Sequence, residues 1–289
     1  MPYHQFPSHE RDPLLGVRNG HNPNNPTPTP RTHLANLHNY FTQPLARRWT
    51  DLLLLTCYII TGLLDSSAVF IWGSFVSMQT GNTVYAGLGL TGLDTTTRWQ
   101  KSLISIGSFC TGSFLFALLH RRLFAAPRCR GALALSFALQ TGCIAVAAVI
   151  TSVYHPHKDD DNGRLRWTTV VPLALVALQS SGQAVASRVL QFSALTSVVL
   201  TSVYCDLFSG PLLSTSSSEQ PAAAVRNPDE WRRVGAVVGL LIGVAVGGGW
   251  ARSEVGLEGA LWTAVVLKAG ITGAWLCWRE EEKAGAGEE

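Results

Sequence analysis

Charged side chains are scarce in this sequence: they make up 14% of its 289 residues, against about a quarter in soluble domains. Asp, Glu, Lys and Arg are missing altogether from Ser102 to His120, Gly131 to Tyr154, Trp167 to Ser187, Val234 to Ala251 and Gly259 to Leu267. Uncharged runs near 20 residues match a hydrocarbon core about 30 Å thick, at 1.5 Å per helical residue. A soluble helix would break such runs with a polar stripe. The lipid bilayer is therefore the expected partner. Mean hydropathy is only +0.19 because polar ends dilute the average.

Other absences narrow the function. The six cysteines include no C-x-x-C pair and lie almost wholly in apolar segments, so they read as small core residues rather than disulfides or metal ligands. There is no phosphate-binding G-x-x-x-x-G-K-[ST] loop, no H-E-x-x-H and no G-x-S-x-G elbow. Ser180-Ser181-Gly182 lacks the preceding glycine expected of an intramembrane serine protease. Neither enzyme nor cofactor is expected. The net charge of +3 is small and evenly spread, which argues against nucleic acid. The loop His155-Pro156-His157-Lys158-Asp159-Asp160-Asp161 offers no closed ligand set, so no metal is assigned to it. The first 47 residues lack an apolar core, so the first span is expected to act as the insertion signal.

What remains is an all-α integral membrane protein. Residues 1–47 are rich in Pro, Asn, His and Thr and are predicted to form a disordered tail. Residues 48–279 form the transmembrane helical domain, and 280–289 a short acidic tail. Six spans are predicted, at about 51–72, 102–120, 131–153, 168–187, 234–251 and 256–278. Trp49, Trp99, Trp167, Trp231, Trp250 and Trp278 fall at their ends, where an aromatic belt belongs. Two shorter apolar pieces, about 80–93 and 195–209, are either full crossings, giving eight spans, or re-entrant half-helices, leaving six. With the N-terminus inside, either count puts about two-thirds of the flanking Lys and Arg in the cytoplasm, so both termini are expected there. The plasma membrane is the favoured location. Six spans also keep Arg121, Arg122, Arg128 and Arg130 inside.

Several residues stand out against this apolar background. Asp65 lies at membrane depth, where a charge is costly and usually faces a bundle interior or water-filled cavity. Fifteen residues later comes the polar turn Thr80-Gly81-Asn82-Thr83. Arg188 precedes Thr201-Ser202 by thirteen residues, and two spans follow each pairing, which outlines an inverted repeat. Gln179, Gln183 and Ser187 share one face of their helix, either as packing bonds or as a cavity wall. Lys268 either pairs with a carboxylate or snorkels. The sharpest arrangement puts Asp65 and Arg188 on one central cavity, with Gln179 and Gln183 on its wall and Lys268 as the alternative partner. Gly235, Gly239, Gly243 and Gly247 form a four-residue ladder for close helix packing. Its partner is Ser108-x-x-x-Gly112 within the chain or, alternatively, a second copy in a homodimer.

Gly62-Leu63-Leu64-Asp65, Gly73-Ser74-Phe75-Val76-Ser77, Thr80-Gly81-Asn82-Thr83, Gln183-Ala184-Val185-Ala186-Ser187-Arg188 and Leu200-Thr201-Ser202 resemble the YoaK-like membrane proteins, a family defined by a domain of unknown function. The resemblance covers about residues 50–278. The long Pro/Asn-rich tail makes the chain look like a filamentous-fungal member, and Ser202 stands where the family often has glycine. The resemblance implies a multi-pass membrane protein and brings no substrate. Two functions compete: a transporter or channel for a small solute or ion, and a non-transporting scaffold or assembly factor.

Overall fold

A computed structural model describes residues 39–46, 49–123, 127–155, 164–192, 195, 200–209 and 228–279. Six helices are long and apolar enough to cross a membrane: α1 (Thr50–Trp72), α3 (Arg98–Arg122), α4 (Arg130–Tyr154), α5 (Trp167–Val189), α7 (Pro228–Arg252) and α8 (Gly256–Cys277). Two short helices, α2 (Gln79–Leu90) and α6 (Leu200–Ser209), fall in the two ambiguous apolar pieces. The long helices extend past the uncharged runs because flanking Arg and Lys, as at Arg98 and Arg122, reach polar surroundings without ending the helix.

The packing pairs expose an internal symmetry. α1 lies against α7, and α3 against α5; α2 packs on α3, and α6 on α7; α4 meets α5, and α8 meets α1. Matching each of α1–α4 with the helix four places later exchanges the members of every such couple. It also exchanges α3·α4 with α7·α8, and it leaves α4·α8 and α1·α5 unchanged. Each half contributes three crossing helices, so the halves run in opposite directions across a membrane, which is the inverted arrangement.

The glycine ladder supplies one of the two equivalent crossings. A Cβ at Gly243 would collide with the Ile59 carbonyl oxygen and sit 2.8 Å from the Leu63 nitrogen; one at Gly62 would sit 2.9 Å from the Val244 nitrogen. Backbones of α1 and α7 are thus in contact, as small residues permit. Gly247 faces the Leu63 carbonyl, whereas Gly235 and Gly239 face Leu55 and Ile59. The ladder's partner is therefore α1, not Ser108-x-x-x-Gly112. Gly112 serves the other crossing, where a Cβ would stand 2.6 Å from the Leu178 carbonyl oxygen of α5.

Residues 39–46, assigned by composition to the tail, pack on the end of the bundle. Tyr40, Phe41 and Leu45 give this short stretch an apolar side, and Leu45 is buried. Pro44 forms an antiparallel bridge with Cys129. The Arg130 N–H donates to Gln43 O at 3.1 Å, and Ala46 N–H to Arg279 O at 3.2 Å. Arg130 Nη2 donates to Trp278 O at 2.6 Å, and its guanidinium lies 3.7 Å from the centre of the Tyr40 ring. The starts of α1 and α4 and the end of α8 therefore share one face. Eight crossings would put Cys129 on the face opposite Pro44, across a core about 30 Å thick. The bridge is compatible with six.

Candidate functional site

α1 ends at Gly73, whose left-handed backbone (φ 75°) lets its N–H close on the carbonyls of Ala68 and Val69. The chain then turns back. Asp65 accepts hydrogen bonds from the Val76 N–H at 2.8 Å and the Ser77 N–H at 2.9 Å, and from the Ser77 hydroxyl. Asp65 lies seven residues before Trp72, so residues 74–78 re-enter by about 10 Å of helix length. Irregular backbone at membrane depth needs protein partners for its polar groups, and Asn82 supplies more of them. Its Oδ1 accepts the Phe75 N–H at 3.0 Å, and its Nδ2 donates to Phe75 O at 2.8 Å. Ser105 Oγ of α3 donates to the same carbonyl at 2.7 Å. Gly81 lies under the Phe75 ring, where a Cβ would stand 2.7 Å from a ring carbon. Asp65, Gly81 and Asn82 thus hold a re-entrant loop in place.

That loop is one wall of a cavity of about 320 Å³. Ser77, Thr80 and Gly81 line it from the first half, Arg188 and Thr201 from the second, and Ser113 from α3. Four of the residues singled out from the sequence, Thr80, Gly81, Arg188 and Thr201, therefore meet. Asp65 reaches the cavity only through Ser77, and Asn82 stands behind Phe75. Asp65 and Arg188 are not an ion pair among the described residues: the carboxylate is occupied by loop donors, and Arg188 is an exposed lining residue.

The remaining polar groups work elsewhere. Gln183 Nε2 donates to Cys57 O at 2.9 Å and Thr61 Oγ1 at 2.8 Å, which joins α5 to α1. Gln179 Nε2 donates to Ser180 Oγ at 3.1 Å. Neither glutamine is among the residues that line the cavity. Lys268, fully buried on α8, donates to Gln140 Oε1 of α4 at 2.5 Å, and its ammonium lies 4.9 Å from the centre of the Phe137 ring. Gln140 Nε2 in turn donates to Ser136 Oγ at 3.2 Å. The partner of Lys268 is thus an amide and an aromatic face, not a carboxylate. Residues 156–163 of the His/Asp loop, like the two end segments 1–38 and 280–289, lie outside the described residues.

Ser77, Ser105 and Gln140 were not anticipated as site or support residues. Ser77 follows Asp65 by twelve residues across a helix end, a separation that no helical period singles out. Gln140 and Lys268 are each one polar residue in an apolar run on helices far apart in sequence. A family model described as "Protein of unknown function (DUF1275)" matches residues 53–274, which takes in both short helices and most of all six long ones. No curated protein and no solved structure matches the chain.

Proposed function

We propose that this chain, which belongs to the DUF1275 family, is a multi-pass membrane transporter for a small solute, with the cavity between α2 and α6 as its solute site. The observation that carries this reading is that the cavity is walled by both halves of an inverted repeat. Rocking one half against the other would expose such a site to each side in turn. Its volume of about 320 Å³ suits a small molecule. The halves are joined in part by Gln183 reaching from α5 to α1. The same halves also meet at the close α1·α7 and α3·α5 crossings, so any such movement must pivot about those contacts.

The face that carries the Pro44–Cys129 bridge also carries Arg121, Arg122, Arg128 and Arg130 at the α3–α4 connection. By the positive-inside rule this face is the cytoplasmic one, with both chain ends on it. A scaffold function makes a different demand on the molecule, because it leaves the cavity without a task. Asp65 does not separate the two readings, since it supports the loop in both. Arg188 does: it lines the cavity, and among the described residues its guanidinium has no hydrogen-bond or ion-pair partner. Purified protein reconstituted in liposomes should accumulate a solute from a mixed pool, and Arg188→Gln should abolish that uptake while keeping the parent's melting temperature. Unchanged uptake in Arg188→Gln, or no uptake by the parent, defeats the proposal.

A further inference from the structure

Arg188 is the one charged residue that lines the cavity among the described residues. Among the described lining residues there is no carboxylate to offset it. Asp65 accepts from two backbone N–H groups and the Ser77 hydroxyl and lies behind Ser77. The hydroxyls of Thr80, Thr201 and Ser113 share the lining. The first turn of α2, which carries no acidic residue, adds the positive end of a helix dipole. Phe75, Met78 and Phe109 add apolar surface to the lining.

We infer that the cavity selects a small organic carboxylate, its charge on Arg188 and its carbon body against Phe75 and Phe109. This rests on the reading of the cavity as a solute site and adds the chemical class of the solute. A guanidinium takes a carboxylate through two parallel N–H···O bonds, and hydroxyls from both halves can share the remaining lone pairs. A cation would meet Arg188 with no carboxylate to offset the repulsion. A neutral solute would leave the guanidinium without a counter-charge.

The test uses the full chain in detergent and two sets of molecules that share a carbon body and differ in the head group, anionic, neutral or cationic: butyrate, butyramide and butylamine, and benzoate, benzamide and benzylamine. Thermal melts are recorded at equal ionic strength. At least one carboxylate should raise the melting temperature of the parent, and its amide and amine should not. Arg188→Gln should weaken that binding about tenfold or more, and Arg188→Lys, which keeps the charge but loses the fork, should fall between. Thr201→Val, a milder change in the same half as Arg188, should weaken it as well. The inference is overturned if neither carboxylate stabilises the parent, if amide or amine does so equally, or if Arg188→Gln binds unchanged. Flux in proteoliposomes separates this from the transport reading. Carboxylate binding without movement keeps the anion site and removes transport. Arg188-dependent movement of a neutral or cationic solute keeps transport and removes the carboxylate.

Discussion

Ser77 gives Asp65 both of its donors, the backbone N–H at 2.9 Å and the side-chain hydroxyl. One residue thus ties the floor of a re-entrant loop to a carboxylate inside α1 while also facing the cavity. The most conspicuous charge in the sequence serves the backbone. Its influence on any solute passes through the position of the loop.

Removing that carboxylate should cost more than removing the hydroxyl. Asp65→Ala strands the N–H groups of Val76 and Ser77, at about 1–3 kcal/mol for each buried unsatisfied group. Ser77→Ala loses only its hydroxyl bond, and Asp65→Asn keeps an acceptor for the backbone. Melting temperatures in detergent should therefore fall in the order Ser77→Ala, Asp65→Asn, Asp65→Ala, with the last the lowest. A parent-like Asp65→Ala would show that the loop does not depend on this clamp.

The contact between α1 and α7 should reject any side chain at Gly243. Even Gly243→Ala puts a carbon against the Ile59 carbonyl, and Gly243→Leu must separate the two backbones. Overpacking costs about 1–3 kcal/mol or more. Gly248 is the matched control, since a Cβ there meets nothing within 4 Å, and Gly248→Ala should be neutral or slightly stabilising. Equal melting of Gly243→Ala and Gly248→Ala would contradict the close crossing.

The six-span arrangement can be fixed chemically. Directly opposed residues of an antiparallel pair have Cα atoms about 4.5–5.5 Å apart, within disulfide range. Pro44→Cys should therefore cross-link to the native Cys129 under mild oxidation, read by mass spectrometry of the joined peptides. An eight-span chain would hold these residues on opposite sides, and the joined peptide would not form.

Lys268 and Gln140 should behave as a unit. Gln140→Leu leaves a buried ammonium without its acceptor and should cost upward of about 2 kcal/mol. Adding Lys268→Met removes the stranded charge, and replacing both partners of a buried polar pair by apolar groups is often neutral. The double variant should melt above Gln140→Leu alone. Strict additivity would mean that Lys268 has another anchor.

Much of this fold was legible because a membrane imposes a length on its helices. The lengths of the six apolar spans are set by hydrocarbon thickness, and each is a long helix. The repeat was visible in the spacing of Asp65 to Thr80 and of Arg188 to Thr201, and the exchange of helix pairs bears the same pattern. The direction of Asp65 was not legible, because its partners are mainly backbone N–H groups, which no residue type advertises. Lys268 was misread for a related reason: its acceptor, Gln140, is an ordinary amide 128 residues away. The packing of residues 39–46 is not legible in composition, because eight residues beside a Pro/Asn-rich stretch barely alter a composition window.

The clasp at the bundle end also orders events in time. Residues 40–46 are among the first of the bundle to be synthesised, yet their partners include Leu276, Trp278 and Arg279, near the very end of the described chain. Until α8 has been made, the carbonyl of Ala46 lacks the Trp278 indole and the Tyr40 hydroxyl lacks its acceptor. The bundle therefore cannot lock until translation is nearly complete. A nascent chain stalled before Leu276 would hold its opening segment through Gln43, Pro44 and Leu45 at the start of α4, half-fastened until α8 arrives.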